Sequence, residues 1–177
     1  MDIGAADGAM LDMLVEKLEM PVAVGLDNSI ELLRCNKNPK LHLIQADALH
    51  LPFGSETFDV VIAAAVIEHV CNAKAMVDEC NRVLKKDGIC IITTPNPFFE
   101  NIASRIESGH LSAQKTFSIT ELQNLLESCG FEILESDRFM VSPVGFPWEN
   151  KVERVIKHLG LSFILLNQLI VAAKPYS

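Results

Sequence analysis

The sequence predicts an α/β fold, a three-layer doubly wound sheet with helices on both faces, and three observations predict it. Short apolar runs alternate with segments of helical apolar spacing along the chain. The first strand-to-helix turn, Asp2-Ile3-Gly4-Ala5-Ala6-Asp7-Gly8, has the spacing D-x-G-x-x-x-G. An acid, Asp27, ends the second apolar run, about 20 residues beyond those glycines.

The glycine turn comes first. Glycine at 4 and 8 lets the backbone turn sharply and leaves room for a ligand against the main chain. The helix that follows directs its unpaired N–H groups at such a ligand. Leu11, Leu14, Val15 and Leu18 give that helix one apolar face. Val22-Ala23-Val24-Gly25-Leu26 reads as the second strand, and Asp27 stands where an acid holds the hydroxyls of a nucleoside ribose. Two glycines also occur in plain tight turns, so the remaining elements have to agree.

They do. Ser29 caps a helix carrying Ile30, Leu32 and Leu33, which Pro39 ends. Leu41 to Gln45 is a third strand closed by Asp47, and Leu51-Pro52-Phe53-Gly54-Ser55 is loop. Phe58 to Ala63 is apolar except for Asp59, the pattern of a central parallel strand covered on both faces. Asn72 caps a helix with Met76, Val77, Cys80, Val83 and Leu84 inward, closing with Lys85-Lys86 at its negative end and Gly88 just beyond. Ile89 to Thr93 is the fifth strand, broken by Pro95-Asn96-Pro97. A helix over 98–106 is less regular. Ser118-Ile119-Thr120-Glu121 is a capping box before Leu122, Leu125 and Leu126, and Gly130 ends that helix. Phe131 to Arg138 is the sixth strand. A loop with Pro143, Gly145, Pro147 and Trp148 leads to a helix from Glu149 to Leu159, and Leu165 to Ala173 is the last strand. No repeat, low-complexity segment or linker divides the chain, so one domain is expected over 1–177. Right-handed crossovers place ligands at the carboxyl ends of the strands.

Composition narrows the function class. The 177 residues are 49% hydrophobic and 21% charged, a globular balance. A formal net charge of −8 with no basic run argues against a nucleic-acid partner. Five cysteines, an odd number with no C-x-x-C pair, point to reduced thiols and a cytoplasmic location. The longest apolar stretch, Leu159 to Ala173, is interrupted by Ser162, Asn167 and Gln168 and is short for a membrane span, so no membrane is expected.

Taken in order, these motifs resemble the class I S-adenosylmethionine-dependent methyltransferases, in the broad type 11 group that includes the ubiquinone-biosynthesis-type O-methyltransferases. The resemblance runs from Asp2 to about Pro175. It rests on Asp2 to Gly8, Gly25-Leu26-Asp27, Gln45 to Leu49 with Leu51-Pro52-Phe53, Phe58 to Ile62, and Ile67-Glu68-His69-Val70. Arg82 to Gly88, Thr94-Pro95-Asn96 and Phe117 to Leu122 extend it. It implies a Rossmann-like sheet of order 3-2-1-4-5-7-6 with strand 7 antiparallel, S-adenosylmethionine as cofactor, and a small-molecule acceptor. Cofactor contacts are implied for Asp2, Gly4, Ala5 and Gly8, for Asp27 and Asn28 at the ribose, for Asp47 and Ala48 at the adenine, and for Ala64 beside the methionine portion.

Methyl transfer needs a nucleophile held in line with the methyl group, and positioning alone can supply up to roughly 7–11 kcal/mol. A base helps only where the acceptor carries a proton at neutral pH. Glu68 and His69, just after strand four, are the candidates, although a helix-end residue that bonds locally is the plainer reading of His69. Some relatives bind a divalent metal with such a pair and a Glu three residues earlier. That position is Ala65 here, so no catalytic metal is expected. His110 is a second candidate base, and Asn96, Trp148 and Phe146 are candidates for the acceptor pocket. Their plainer readings are a loop histidine, a turn residue and packing aromatics.

Two departures from the family stand out. Ala6 occupies the middle position of the commoner D-x-G-x-G-x-G form. Only Met1, Asp2 and Ile3 precede Gly4, where members usually have helices that cover the cofactor. The expectation is therefore a chain short of those helices, which binds cofactor weakly and turns over slowly. Two rivals stay open: a methyltransferase-like binding or partner subunit, told apart by turnover, and a nicotinamide-dependent oxidoreductase, told apart by dinucleotide binding. Oxygen stands ahead of nitrogen or carbon as acceptor atom, and the oligomeric state is open.

Overall fold

The computed structural model describes residues 1–20, 22–97, 115–139, 149–160, 162 and 165–176. The helix expected over 98–106, and His110, Phe146 and Trp148, lie outside the described residues.

Seven strands form one sheet in the order β3-β2-β1-β4-β5-β7-β6. β1 (Asp2–Ile3), β2 (Ala23–Asp27), β3 (Leu41–Gln45), β4 (Phe58–Ala64) and β5 (Leu84–Pro95) pair in parallel. β7 (Asn167–Ala173) runs antiparallel between β5 and β6 (Glu132–Phe139). This is the order and the one reversed strand that the resemblance implied.

The alternation of side chains along β2 shows why helices are needed on both faces. Val24 and Leu26 join the larger core with Val61 and Ala63 of β4, Cys90 and Ile92 of β5, and Ile170 and Ala172 of β7. Two helices cover that face, α3 (Ala73–Val83) and α4 (Ile119–Ser128). Met76, Val77, Cys80 and Val83 of the first and Leu122 and Leu126 of the second are buried there. Ala23 turns the other way, into a smaller core with Leu11 and Val15 of α1 (Ala9–Leu18). Gly25 belongs to that face. A Cβ there would stand 2.6 Å from Leu43 Cδ2 and 2.8 Å from Ala5 Cβ, so the close approach of α1 and β3 requires the missing side chain. Leu18, expected on the inner face of α1, is 64% exposed.

The expected caps form. Ser29 Oγ accepts from Leu32 N at the start of the short helix α2 (Ile30–Leu33), and Asn72 Oδ1 accepts from Ala75 N on α3. Ser118 Oγ accepts from Glu121 N while the Glu121 carboxylate accepts from Ser118 N, which completes the capping box of α4. Because Leu122 and Leu126 behind this cap are fully buried, Ser118→Ala should destabilise the fold by about 1 kcal/mol, read as a lower midpoint in urea unfolding.

Several features differ from the expected ones, among them that β5 begins at Leu84 and β7 at Asn167. α2 ends at Leu33, well before Pro39. The N-terminal part of β4 is open, with Asp59 and Val60 exposed, and only Val61 and Ala63 fully covered. Above all, α3 stops at Val83, and Lys85 and Lys86 lie in β5. Lys85 Nζ reaches the Asp59 carboxylate of the neighbouring strand at 2.8 Å instead of an end-of-helix carbonyl. The cation that caps α3 comes from elsewhere: Lys174 Nζ donates to Asn81 O and Leu84 O. The last helix, α5 (Glu149–His158), stands as expected.

Candidate functional site

The carboxyl ends of β1, β2 and β4 open onto one cavity of about 610 Å³. Its wall includes Gly4, Asp27, Asn28, Asp47, Ala48 and His69, six of the residues singled out in the sequence. Apolar contributions come from Leu26, Leu49, Val66 and Val70.

The glycine turn shapes one side. Gly4 has φ +74°, a conformation costly for other residues, and a Cβ there would lie 2.3 Å from Val66 Cγ2. The turn is then fastened to the end of β2. Ala5 N donates to Leu26 O at 2.7 Å, and Ala6 N donates to Asp27 Oδ2 at 2.9 Å. The other carboxylate oxygen, Oδ1, accepts from Ser29 N at 2.8 Å. Asp27 therefore anchors both the turn before it and the start of α2 while its carboxylate faces the cavity. Across from it, Asp47 Oδ1 accepts from Leu49 N at 2.9 Å, and His50 Nδ1 lies 3.4 Å from Oδ2. The Leu49 amide, with a smaller effect from His50, holds the exposed Asp47 carboxyl below its ordinary range.

Other expected residues lie off the wall. Asp2 is buried beneath it at 2% exposure, and its Oδ1 has no hydrogen-bond partner. Burial pushes this carboxyl up to about 7; the Met1 ammonium pulls it back and Asp27 adds to the rise. Ala5 and Gly8 are buried in the turn, and the wall after β4 is made by Ala65 and Val66, next to Ala64. Of the Glu68-His69 pair, only His69 reaches the cavity. Glu68 is 4% exposed; Thr94 Oγ1 donates to its Oε2 at 3.2 Å, and its Oε1 has no partner. Asn96 is buried, donating from Nδ2 to Leu165 O at 2.7 Å. With Gln168, whose Nε2 donates to Phe117 O at 2.8 Å, it ties neighbouring segments to the ends of β5 and β7.

Sequence reasoning missed Cys71 and Leu49 on the wall. Their places just past Glu68-His69 and Asp47-Ala48 were the available signal. Among the described residues, no group of three or more His, Cys, Asp and Glu is placed to hold a metal, and no helix is long and apolar enough to cross a membrane.

A family model described as a methyltransferase domain matches residues 1–92. A Mycobacterium tuberculosis protein named a probable S-adenosylmethionine-dependent methyltransferase is 28% identical over 133 residues, covering 74% of this chain and 47% of that protein. The mitochondrial ubiquinone biosynthesis O-methyltransferase of Bos taurus is 33% identical over 103 residues, covering 52% of this chain and 28% of that protein. The chain thus spans less than half the length of either relative. Among solved structures, a complex of the Haloferax volcanii Trm112 methyltransferase activator with a protein named a putative methyltransferase matches with a TM-score of 0.77 at 19% identity, over 99% of this chain and 81% of that one. That likeness is one of fold. With 92 of its 177 residues under the family model, and with the sheet order that the motifs implied, the chain belongs to the methyltransferase domain family.

Proposed function

We propose that residues 1–177 form one S-adenosylmethionine-dependent methyltransferase domain that methylates a small-molecule acceptor, with oxygen as the receiving atom. The observation that carries this reading is the placing of Asp27, Asp47, Ala48 and Gly4 around one cavity at the carboxyl ends of the strands. The donor set fits the cofactor. Each Asp27 oxygen accepts one amide and keeps a lone pair for a ribose hydroxyl. The Asp47 carboxylate suits the amino group of adenine, and the Ala48 N–H a ring nitrogen. The size lies within the usual range for ligand sites, roughly 300–1,000 Å³. Asp2, Ala5 and Gly8 act from behind the wall by shaping the turn, and Asn28 and the Ala64-to-Val66 segment border the nucleoside and methionine ends.

When bound, the cofactor supplies an electrophilic methyl group on a sulfonium. The chain's own part is to hold an acceptor against it and, where the acceptor is protonated, to take the proton. His69, on the wall, is placed for that role, and Glu68 supports the segment from the interior. The bovine relative's name supports oxygen as acceptor atom. The net charge of −8 supports a small molecule over nucleic acid or an anionic membrane, and five free cysteines support a cytoplasmic setting.

Calorimetry tests the reading. S-adenosylmethionine and S-adenosylhomocysteine should bind, and NAD should not. A metabolite extract incubated with S-adenosylmethionine should then yield a product heavier by one methyl group. Binding of NAD in preference to S-adenosylmethionine would replace this reading with that of an oxidoreductase.

A further inference from the structure

We infer that Glu79 and Arg82, on α3 and away from the cavity, are positioning residues for the cofactor: they set the adenine-side wall by clamping the loop that continues it. The inference rests on the cofactor reading above.

The wall segment from Ala46 to Leu49 runs into a loop with no strand partner until β4 begins at Phe58. Two of its internal main-chain bonds, His50 N to Asp47 O and Phe53 N to Leu51 O, are local. Main-chain bonds from Glu56 N to Arg82 O and from Thr57 N to Val83 O tie its far end, and the Leu51 side chain is buried in the core. Nearer the wall, one side-chain pair holds its main chain. Arg82 Nη1 donates to Phe53 O at 2.7 Å, and Nη2 donates to Leu51 O at 3.0 Å. Glu79 Oε2 accepts from Leu51 N at 2.7 Å. Main-chain groups of Leu51 and Phe53, the residues on either side of Pro52, are thus held from the same helix, across 28 to 31 residues of sequence. The pair is itself rigid: Arg82 Nε donates to Glu79 Oε1 at 2.6 Å and Nη2 to Oε2 at 2.8 Å.

This geometry is specific to arginine. A planar fork reaches a carboxylate and two carbonyls at once, and a lysine's single ammonium does not. The Arg82 guanidinium, helped by the Leu51 amide, also keeps the Glu79 carboxyl below its ordinary range, so the clamp stays charged throughout neutral pH. Leu51 lies two residues beyond Leu49 on the wall, so a displaced Leu51 moves the Asp47-Ala48-Leu49 segment with it. Misplacement by an ångström is enough to cost affinity at a site built from hydrogen bonds.

The test compares wild type with Arg82→Lys and Arg82→Met, and uses Lys85→Met, which breaks an exposed ion pair outside the clamp, as control. S-adenosylhomocysteine and S-inosylhomocysteine are titrated by calorimetry, and hydrogen exchange is followed in the ligand-free proteins. Both Arg82 variants should lose about fivefold in affinity for the adenosyl ligand and less for the inosyl one, so that the preference for adenine falls. Exchange at amides 47–53 should quicken, and the control should show neither change. Wild type that binds the adenosyl ligand, with an unmoved preference and unmoved exchange in Arg82→Met, would overturn this inference alone. Wild type that binds neither ligand would overturn the cofactor reading and this inference with it.

Discussion

Asp27→Ala is expected to weaken binding of S-adenosylmethionine by about two orders of magnitude. One carboxylate has three tasks here. It faces the cavity, its Oδ2 accepts from Ala6 N, and its Oδ1 accepts from Ser29 N. Hydrogen bonds to a charged group contribute about 1.5–3 kcal/mol each. On the proposed reading the substitution removes the ribose partner, and it also frees the glycine turn from the end of β2, so a loss of about 3 kcal/mol is expected, a factor near 10² in Kd. Asp27→Asn keeps one good acceptor and should fall between. Calorimetry gives the affinity, and circular dichroism checks that the sheet has survived. An Asp27→Ala protein that folds and binds as tightly as wild type would remove Asp27 from the site.

Asp2→Asn is expected to stabilise the protein at pH 8 and to leave it unchanged at pH 4. The Asp2 carboxyl titrates near 7 in the folded protein and at 3.8 when free, chiefly because it is buried with an unpartnered oxygen. A raised carboxyl works against the folded state once it must ionise. Below pH 4 both states hold the proton and nothing is lost. Between pH 4 and 7 the folded state holds a proton that the unfolded state has released, so stability falls as pH rises. Above pH 7 both are ionised and the full penalty, on the order of 4 kcal/mol, is present. Urea unfolding of wild type and variant at intervals from pH 4 to 8 gives the difference directly. Two stability curves that stay parallel over that window would show that Asp2 carries no such penalty.

What could be read from the sequence divides by the range of the physics involved. Ser29, Asn72 and Ser118 were legible as caps because a cap bonds within three residues of itself. The sheet order was legible through the family resemblance, and the place of Gly4 and Asp27 on the cavity wall through the spacing of the turn. The end of α3 was not legible. Lys85 looks like a helix-end cation until Asp59, 26 residues earlier, draws it into a strand. The same distance in sequence hid the Glu79–Arg82 clamp. Glu68 and Asn96 show what local pattern leaves open: in this structure they are turned inward to Thr94 and Leu165. Local pattern indicates that a polar side chain stands at a strand end; the packing of β5, β7 and the segment at 115–117 decides which way it faces.

The reversed strand has a consequence for how the chain is made. Among the described residues β6 pairs with the sheet through β7 alone, and β7 comes after it in the chain. During synthesis β6 therefore leaves the ribosome with no neighbour to pair with, and β5 waits with one edge open. Both are satisfied together when residues 167–173 slide between them. Until then the nascent protein presents unpaired strand edges on both, the kind of surface on which chains associate wrongly. A released chain that ends at residue 166 should keep its N-terminal strands protected while its β5 and β6 amides still exchange with water.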